Sequence, residues 1–197
     1  MARKRMAAGI VALGIMSSAA GFAAAGAAFL LALTAGATAQ DSSSPHHKLA
    51  VWAGHWKIHA ETKETQFGHA KTLDFDNQCS FSPHGAFMVC ENLSLQPDPD
   101  NGRISNDVSL LYYSDVDKTF KYTDVHPEGG PHEEVTHVDG NVWTRPIDIP
   151  RPGGGVANAR FVYNFVSPNK RLARFEISTD KGARWTLVTE FVGTKER

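Results

Sequence analysis

Along most of the chain, apolar and polar residues alternate with a period of two, the signature of strands with one buried face. Trp56, Ile58 and Ala60 alternate with Lys57, His59 and Glu61, and Leu73, Phe75, Asn77, Cys79 and Phe81 share one face of the next strand. The series continues through Phe87–Leu95, Val108–Ser114, Phe120–His126, Val135–Val138 and Val142–Arg145, then Arg160–Val166, Arg171–Ser178 and Trp185–Val192. Between these runs stand His84-Gly85, Asp139-Gly140, Ser167-Pro168-Asn169 and Asp180-Lys181-Gly182, residues suited to tight hairpins. A single helical pattern precedes them. Ser44 and Pro45 suit an N-cap and a first helical position, Leu49, Trp52 and Ala53 fall at i, i+3 and i+4, and Gly54 can end the turn. The pattern predicts an all-β chain, an antiparallel up-and-down barrel of about ten strands with one short N-terminal helix over 45–53. A two-sheet sandwich is the alternative.

The first forty residues read differently. After Arg3, Lys4 and Arg5 no charge appears until Asp41, and the apolar run ends in Ala37-Thr38-Ala39. That is a secretory signal over 1–39, cleaved before Gln40, with an uncleaved anchor as the rival. A linker over 40–47 then leads into one domain over 48–197, and the Ala-rich signal points to a bacterial periplasmic or secreted protein. Apolar residues make up 42% and charged residues 21% of the 197, a globular composition for a single core. From residue 41 on there are 17 basic and 21 acidic residues, a net charge of −4. This argues against nucleic acid and against anionic membranes as partners, and no stable membrane insertion is expected after cleavage.

Gly54-His55-Trp56, following the short helix, resembles the opening of lipocalins and their calycin relatives, where the tryptophan closes one barrel end. The mature chain as a whole resembles a family of uncharacterised secreted bacterial lipocalin-like domains. The stretches that carry this likeness are Leu49–Trp56, Cys79–Cys90, Leu111–Asp115, Asp139–Trp143 and Asp180–Thr186. The resemblance implies a ten-stranded barrel and little about chemistry, because barrels of this shape host unrelated functions. One departure is a lengthened connection, carrying Pro146, Pro150, Pro152 and Gly153–Gly155.

Two cysteines exclude a disulfide-dense scaffold and a four-cysteine zinc site. If His84-Gly85 is a two-residue loop, Phe81 faces Met88 and Cys79 faces Cys90. Directly opposed antiparallel residues lie within disulfide range, so in an oxidising compartment the pair is expected to close.

The nine histidines invite a metal or haem reading. His132-Glu133-Glu134-Val135-Thr136-His137 approximates the zinc-protease pattern with one residue too many. Five residues apart, its histidines diverge by about 140° on a helix and face opposite ways on a strand. His126 and His137 are better placed. If His126 pairs with Glu133, then Tyr122 opposes His137, and Tyr122, Asp124, His126 and His137 share one barrel face. A single inward histidine could ligate haem iron, as in the haem barrels called nitrobindins. No metal site or catalytic residue is assigned. Gly-x-Ser-x-Gly is absent, and Gly153–Gly155 lacks the Lys-Ser/Thr of a phosphate loop.

The remaining signal is aromatic. Trp56, Phe75, Tyr112, Phe120, Tyr122, Phe161, Tyr163 and Trp185 are expected to line the interior with His126 and His137. A ten-stranded barrel is wider than side chains alone fill, so these residues form either a plug or the wall of a ligand site. The expected function is non-catalytic binding of a small apolar or amphipathic molecule. Haem or metal binding, and a small hydrolase or isomerase in the barrel mouth, are the alternatives.

Overall fold

The computed structural model describes residues 44–125, 131–150 and 155–197. The expected signal segment and the first half of the linker, 40–43, lie outside the described residues.

A 3₁₀ helix over Pro45–Val51 leads into ten strands. They are β1 (Gly54–Thr62), β2 (Lys71–Phe81), β3 (Phe87–Ser94), β4 (Asn106–Ser114) and β5 (Thr119–Val125). There follow β6 (His132–Asp139), β7 (Val142–Pro150), β8 (Val156–Ser167), β9 (Lys170–Ser178) and β10 (Thr186–Lys195). Each strand pairs antiparallel with its sequence neighbours, and β1 pairs with β10 to close an up-and-down barrel. All ten expected strands are present. The helix is shorter and tighter than its apolar spacing suggested, with Pro45 at its start and Trp52 closing its last turn.

The β2–β3 hairpin has the expected register, Phe81 opposite Met88 and Cys79 opposite Cys90. Those cysteines form a disulfide with Cα atoms 4.1 Å apart, buried on the inner face. Two other expectations change. In the β5–β6 hairpin, Tyr122 pairs with Glu134 and Asp124 with His132, so Tyr122 does not oppose His137. An odd shift of register exchanges the faces of a strand. Glu134 and Thr136 therefore turn inward, whereas His137 is exposed on the outside. The supposed long connection is also shorter, because β7 runs on through Pro146 and Pro150, which oppose Arg160 and Val156. Proline is tolerated there because β7 pairs with β6 at only three positions, ending at Thr144 opposite His137. Past Thr144 the β6-facing edge of β7 is unpaired, and a missing N–H costs no ladder bond.

The inward residues make two packed regions. Leu49, Trp52, Trp56, Met88, Leu111, Phe120, Trp143 and Phe165 form a buried cluster at the end covered by the helix. Trp52 meets Trp143, Tyr163 and Phe165 edge-on at 5.7, 4.8 and 5.0 Å, and the Trp56 indole donates to its backbone carbonyl at 2.8 Å. A smaller cluster joins Ala157, Ala159, Ile177 and Val188 with Phe67, Ile147, Ile149 and Phe175.

Candidate functional site: a hollow with two interior arginines

Above the tryptophan plug, the inward positions change character. Strand alternation brings Asn77 and Asn92, Ser109, Ala173 and Gly193 to the interior, small or polar residues where the plug carries indoles and Leu. The volume they leave is a cavity of about 980 Å³. Phe75, Ile58, Tyr122, Phe161, Tyr163 and Phe191 form its apolar wall. It opens sideways where β6 and β7 part, since Glu133, Val135, Pro146 and Asp148 also border it.

Two guanidinium groups are buried in this wall. Arg145 stands on β7 in the inward register shared with Trp143 and Ile147, and is 4% exposed. Its Nη1 donates to Asp124 Oδ2 at 2.9 Å, and its guanidinium lies 3.8 Å from the Tyr122 ring centre and 4.6 Å from that of Phe161. Ser109 donates to the other Asp124 oxygen at 2.6 Å, so the Tyr122 hydroxyl, 2.7 Å from Ser109 Oγ, donates to Ser109. The result is an ordered polar spine across β4, β5 and β7. Burial opposes the Arg145 charge, but Tyr163, Tyr122, Asp124 and Glu134 outweigh it and hold the group above its ordinary value. Burial pushes the Tyr122 and Tyr163 hydroxyls above theirs, so both are neutral donors at ordinary pH.

Arg171, on β9, is the second. It is 5% exposed, and its Nη2 donates to Asn77 Oδ1 at 2.7 Å. Its guanidinium lies over Trp56 at 4.7 Å and Trp52 at 5.3 Å. No carboxylate pairs with it among the described residues. Burial accordingly pulls it down to about 10, with Tyr163 and Tyr122 opposing the shift.

The sequence-predicted residues divide. Phe75, Tyr122, Phe161 and Tyr163 line the cavity. Trp56 and Phe120 belong to the plug beneath it. Tyr112, Trp185 and His137 are not inside. Tyr112 alternates with the inward Leu111 and Tyr113 and donates to Glu133 at 2.5 Å on the outer face. Trp185 precedes β10 and packs 4.0 Å from the Arg160 guanidinium, itself paired with Glu176 at 2.6 Å. His126 lies outside the described residues. Of the two histidines that carried the haem expectation, then, one points away from the interior and the other is not described. Among the described residues no group of three or more His, Cys, Asp or Glu side chains is arranged to hold a metal ion.

Sequence reasoning missed Arg145, Arg171, Asn77 and Gly193. Parity could have found the arginines, since both sit in frame with inward apolar residues, where a charge is uncommon and calls for a partner.

The chain matches no protein-family profile and no curated protein sequence. Solved structures align with the chain. Rv2717c from M. tuberculosis aligns with a TM-score of 0.52 at 12% identity, over 78% of this chain and 99% of that one. The S-type phycobiliprotein lyase CPES from Guillardia theta aligns with a TM-score of 0.48 at 15% identity, over 77% and 92%. This chain is similar to Rv2717c in fold. At such identities the likeness extends to the fold alone. Among the described residues no helix is long and apolar enough to cross a membrane.

Proposed function

We propose that this protein is a non-catalytic barrel that holds one small apolar or amphipathic molecule in its interior. The observation that carries the reading is the cavity of about 980 Å³, walled by aromatic rings and set with a few fixed polar groups. That combination suits small-molecule recognition, in which apolar walls supply affinity and convergent polar groups supply orientation. The polar spine supports binding better than turnover. The Ser109 hydroxyl is engaged by Asp124, whose second oxygen is held by Arg145, so the serine is fixed as a wall group. Action in an oxidising compartment is supported by the signal-like first forty residues and by the Cys79–Cys90 disulfide.

Titration with phenylnaphthylamine tests the reading, with tryptophan-excited transfer to the probe as the signal. One saturable site per chain is expected. An Ala173→Phe variant, which places a ring in the cavity beside Tyr163 and Phe191, should abolish that site while the protein stays folded. A folded wild-type protein with no saturable binding ends the reading.

A further inference from the structure

The two interior arginines are not equivalent, and the difference bears on what the cavity takes. Arg145 has its counter-ion in Asp124, at 2.9 Å. Arg171 has none among the described residues, although it is as deeply buried and lines the same cavity. A buried cation without a carboxylate is costly to a fold unless something else compensates it. The surroundings are nonetheless built around it. Asn77 is anchored through its Nδ2 to the Glu91 carbonyl at 3.2 Å, which directs its Oδ1 to Arg171 Nη2. A Cβ at Gly193 would stand 2.8 Å from Arg171 Cγ and 3.0 Å from Nε, so glycine there makes room for the arginine to lie along β10. Trp52 and Trp56 offer their ring faces. After all this, Nη1 is left with no hydrogen-bond partner.

The charge distribution along the cavity is polarised. At the plug end stands Arg171, while Lys195, which does not line the cavity, lies 4.7 Å from the Trp56 ring centre. Elsewhere the wall carries Asp107, Glu133, Glu134 and Asp148, with Asp124 paired to Arg145. Among the described residues, an anion is therefore favoured at the floor beside Arg171, above Trp52. A doubly charged phosphate would meet those carboxylates over the rest of the wall. A single planar carboxylate meets less repulsion and matches the planar guanidinium donor.

We propose that the ligand is an amphiphile bearing one carboxylate, bound head-down with the carboxylate on Arg171 and its apolar body against Phe75, Phe161 and Phe191. This rests on the cavity-binding reading above and specifies its ligand class. Arg171 supplies the charged donor, Asn77 and Gly193 set its position, and the Arg145–Asp124 pair stays neutral as a unit.

The test compares naphthoate with its neutral isostere naphthamide on the intact protein, by calorimetry and tryptophan quenching at neutral pH and low salt. Naphthoate should bind at least about tenfold more tightly, the scale of a charge-assisted hydrogen bond set against a neutral one. Arg171→Met should erase that preference, leaving naphthamide affinity within about threefold of wild type, whereas the outer-face control Arg174→Met should keep it. The wild-type comparison stands even if Arg171→Met fails to fold. Equal affinity for the two probes overturns the carboxylate assignment and leaves the cavity reading intact. A preference that survives Arg171→Met overturns the role of Arg171. Failure of both probes to bind overturns the cavity reading itself, and this proposal with it.

Discussion

The two ends of the interior are built by the same strands yet do opposite things. At the helix-covered end, β1, β3, β4, β7 and β8 point Trp56, Met88, Leu111, Trp143 and Phe165 inward, and Trp52 locks them edge to face. A few residues along the same strands, the inward positions are Ile58, Cys90, Ser109, Arg145 and Tyr163, and they enclose a cavity of about 980 Å³. Backbone pairing changes as well. β1 and β2 pair at nine positions, while β6 and β7 pair at three and then part. A ten-stranded barrel is too wide to be filled everywhere by side chains, and this chain places its largest buried ring cluster at the helix-covered end. Whether its interior aromatics are plug or wall thus has a different answer at each level.

The largest expected contrast is between a plug ring and a wall ring. Trp143 is 2% exposed and touches Phe120 and Trp52 edge-on. Trp143→Ala should cost about 3–5 kcal/mol in urea unfolding, because the plug cannot collapse around the void. Phe161 already borders empty space, so Phe161→Ala should cost less than half as much, yet weaken phenylnaphthylamine binding markedly. Equal stability losses at the two positions would erase the distinction between the levels.

The disulfide comes next. Cys79 and Cys90 close a loop with a sequence separation of 11. Paired replacement by Ser should lower stability by roughly 3 kcal/mol while the circular dichroism of the barrel is retained. Two titratable thiols in unfolded, unreduced protein from its native compartment would contradict the bridge.

The smallest effect concerns the β9–β10 turn, remote from both levels. Asp180 is held down to about 2 by the backbone N–H of Arg184, by its guanidinium and by Ser178. A depressed carboxylate contributes stability above its unfolded pKa and loses it as pH falls through the folded one. The stability difference between wild type and Asp180→Asn should therefore be constant near neutrality and shrink progressively between about pH 5 and about pH 1. A difference that stays unchanged from about pH 5 down to about pH 1 would mean the charge is not the source.

The fold was legible because its signals are local. Alternation over Leu73–Phe81 placed Phe75, Asn77 and Cys79 on one face, and His84-Gly85 set the register that joins Cys79 to Cys90. The site was less legible because it depends on register across a longer connection. Pairing His126 with Glu133 put His137 inside, but the observed Tyr122–Glu134 pairing differs by three residues and turns that histidine out. Tyr112 and Trp185 were counted for their aromaticity, although parity already set Tyr112 against the inward Leu111 and Tyr113. Arg145 and Arg171 are charged residues in apolar frames, and those frames are the signal that marks them. Pro146 reads as a strand breaker, and only the unpaired β6-facing edge shows why β7 continues through it.

The central claim, a hollow level above a packed one, is tested most directly by a crystal structure of the protein grown with naphthamide. The account predicts one molecule per chain within the barrel, its rings among Phe75, Phe161 and Phe191 and above an undisturbed Trp52–Trp56 plug. Side chains collapsed across that volume, with the probe bound only to the outer surface, would contradict it.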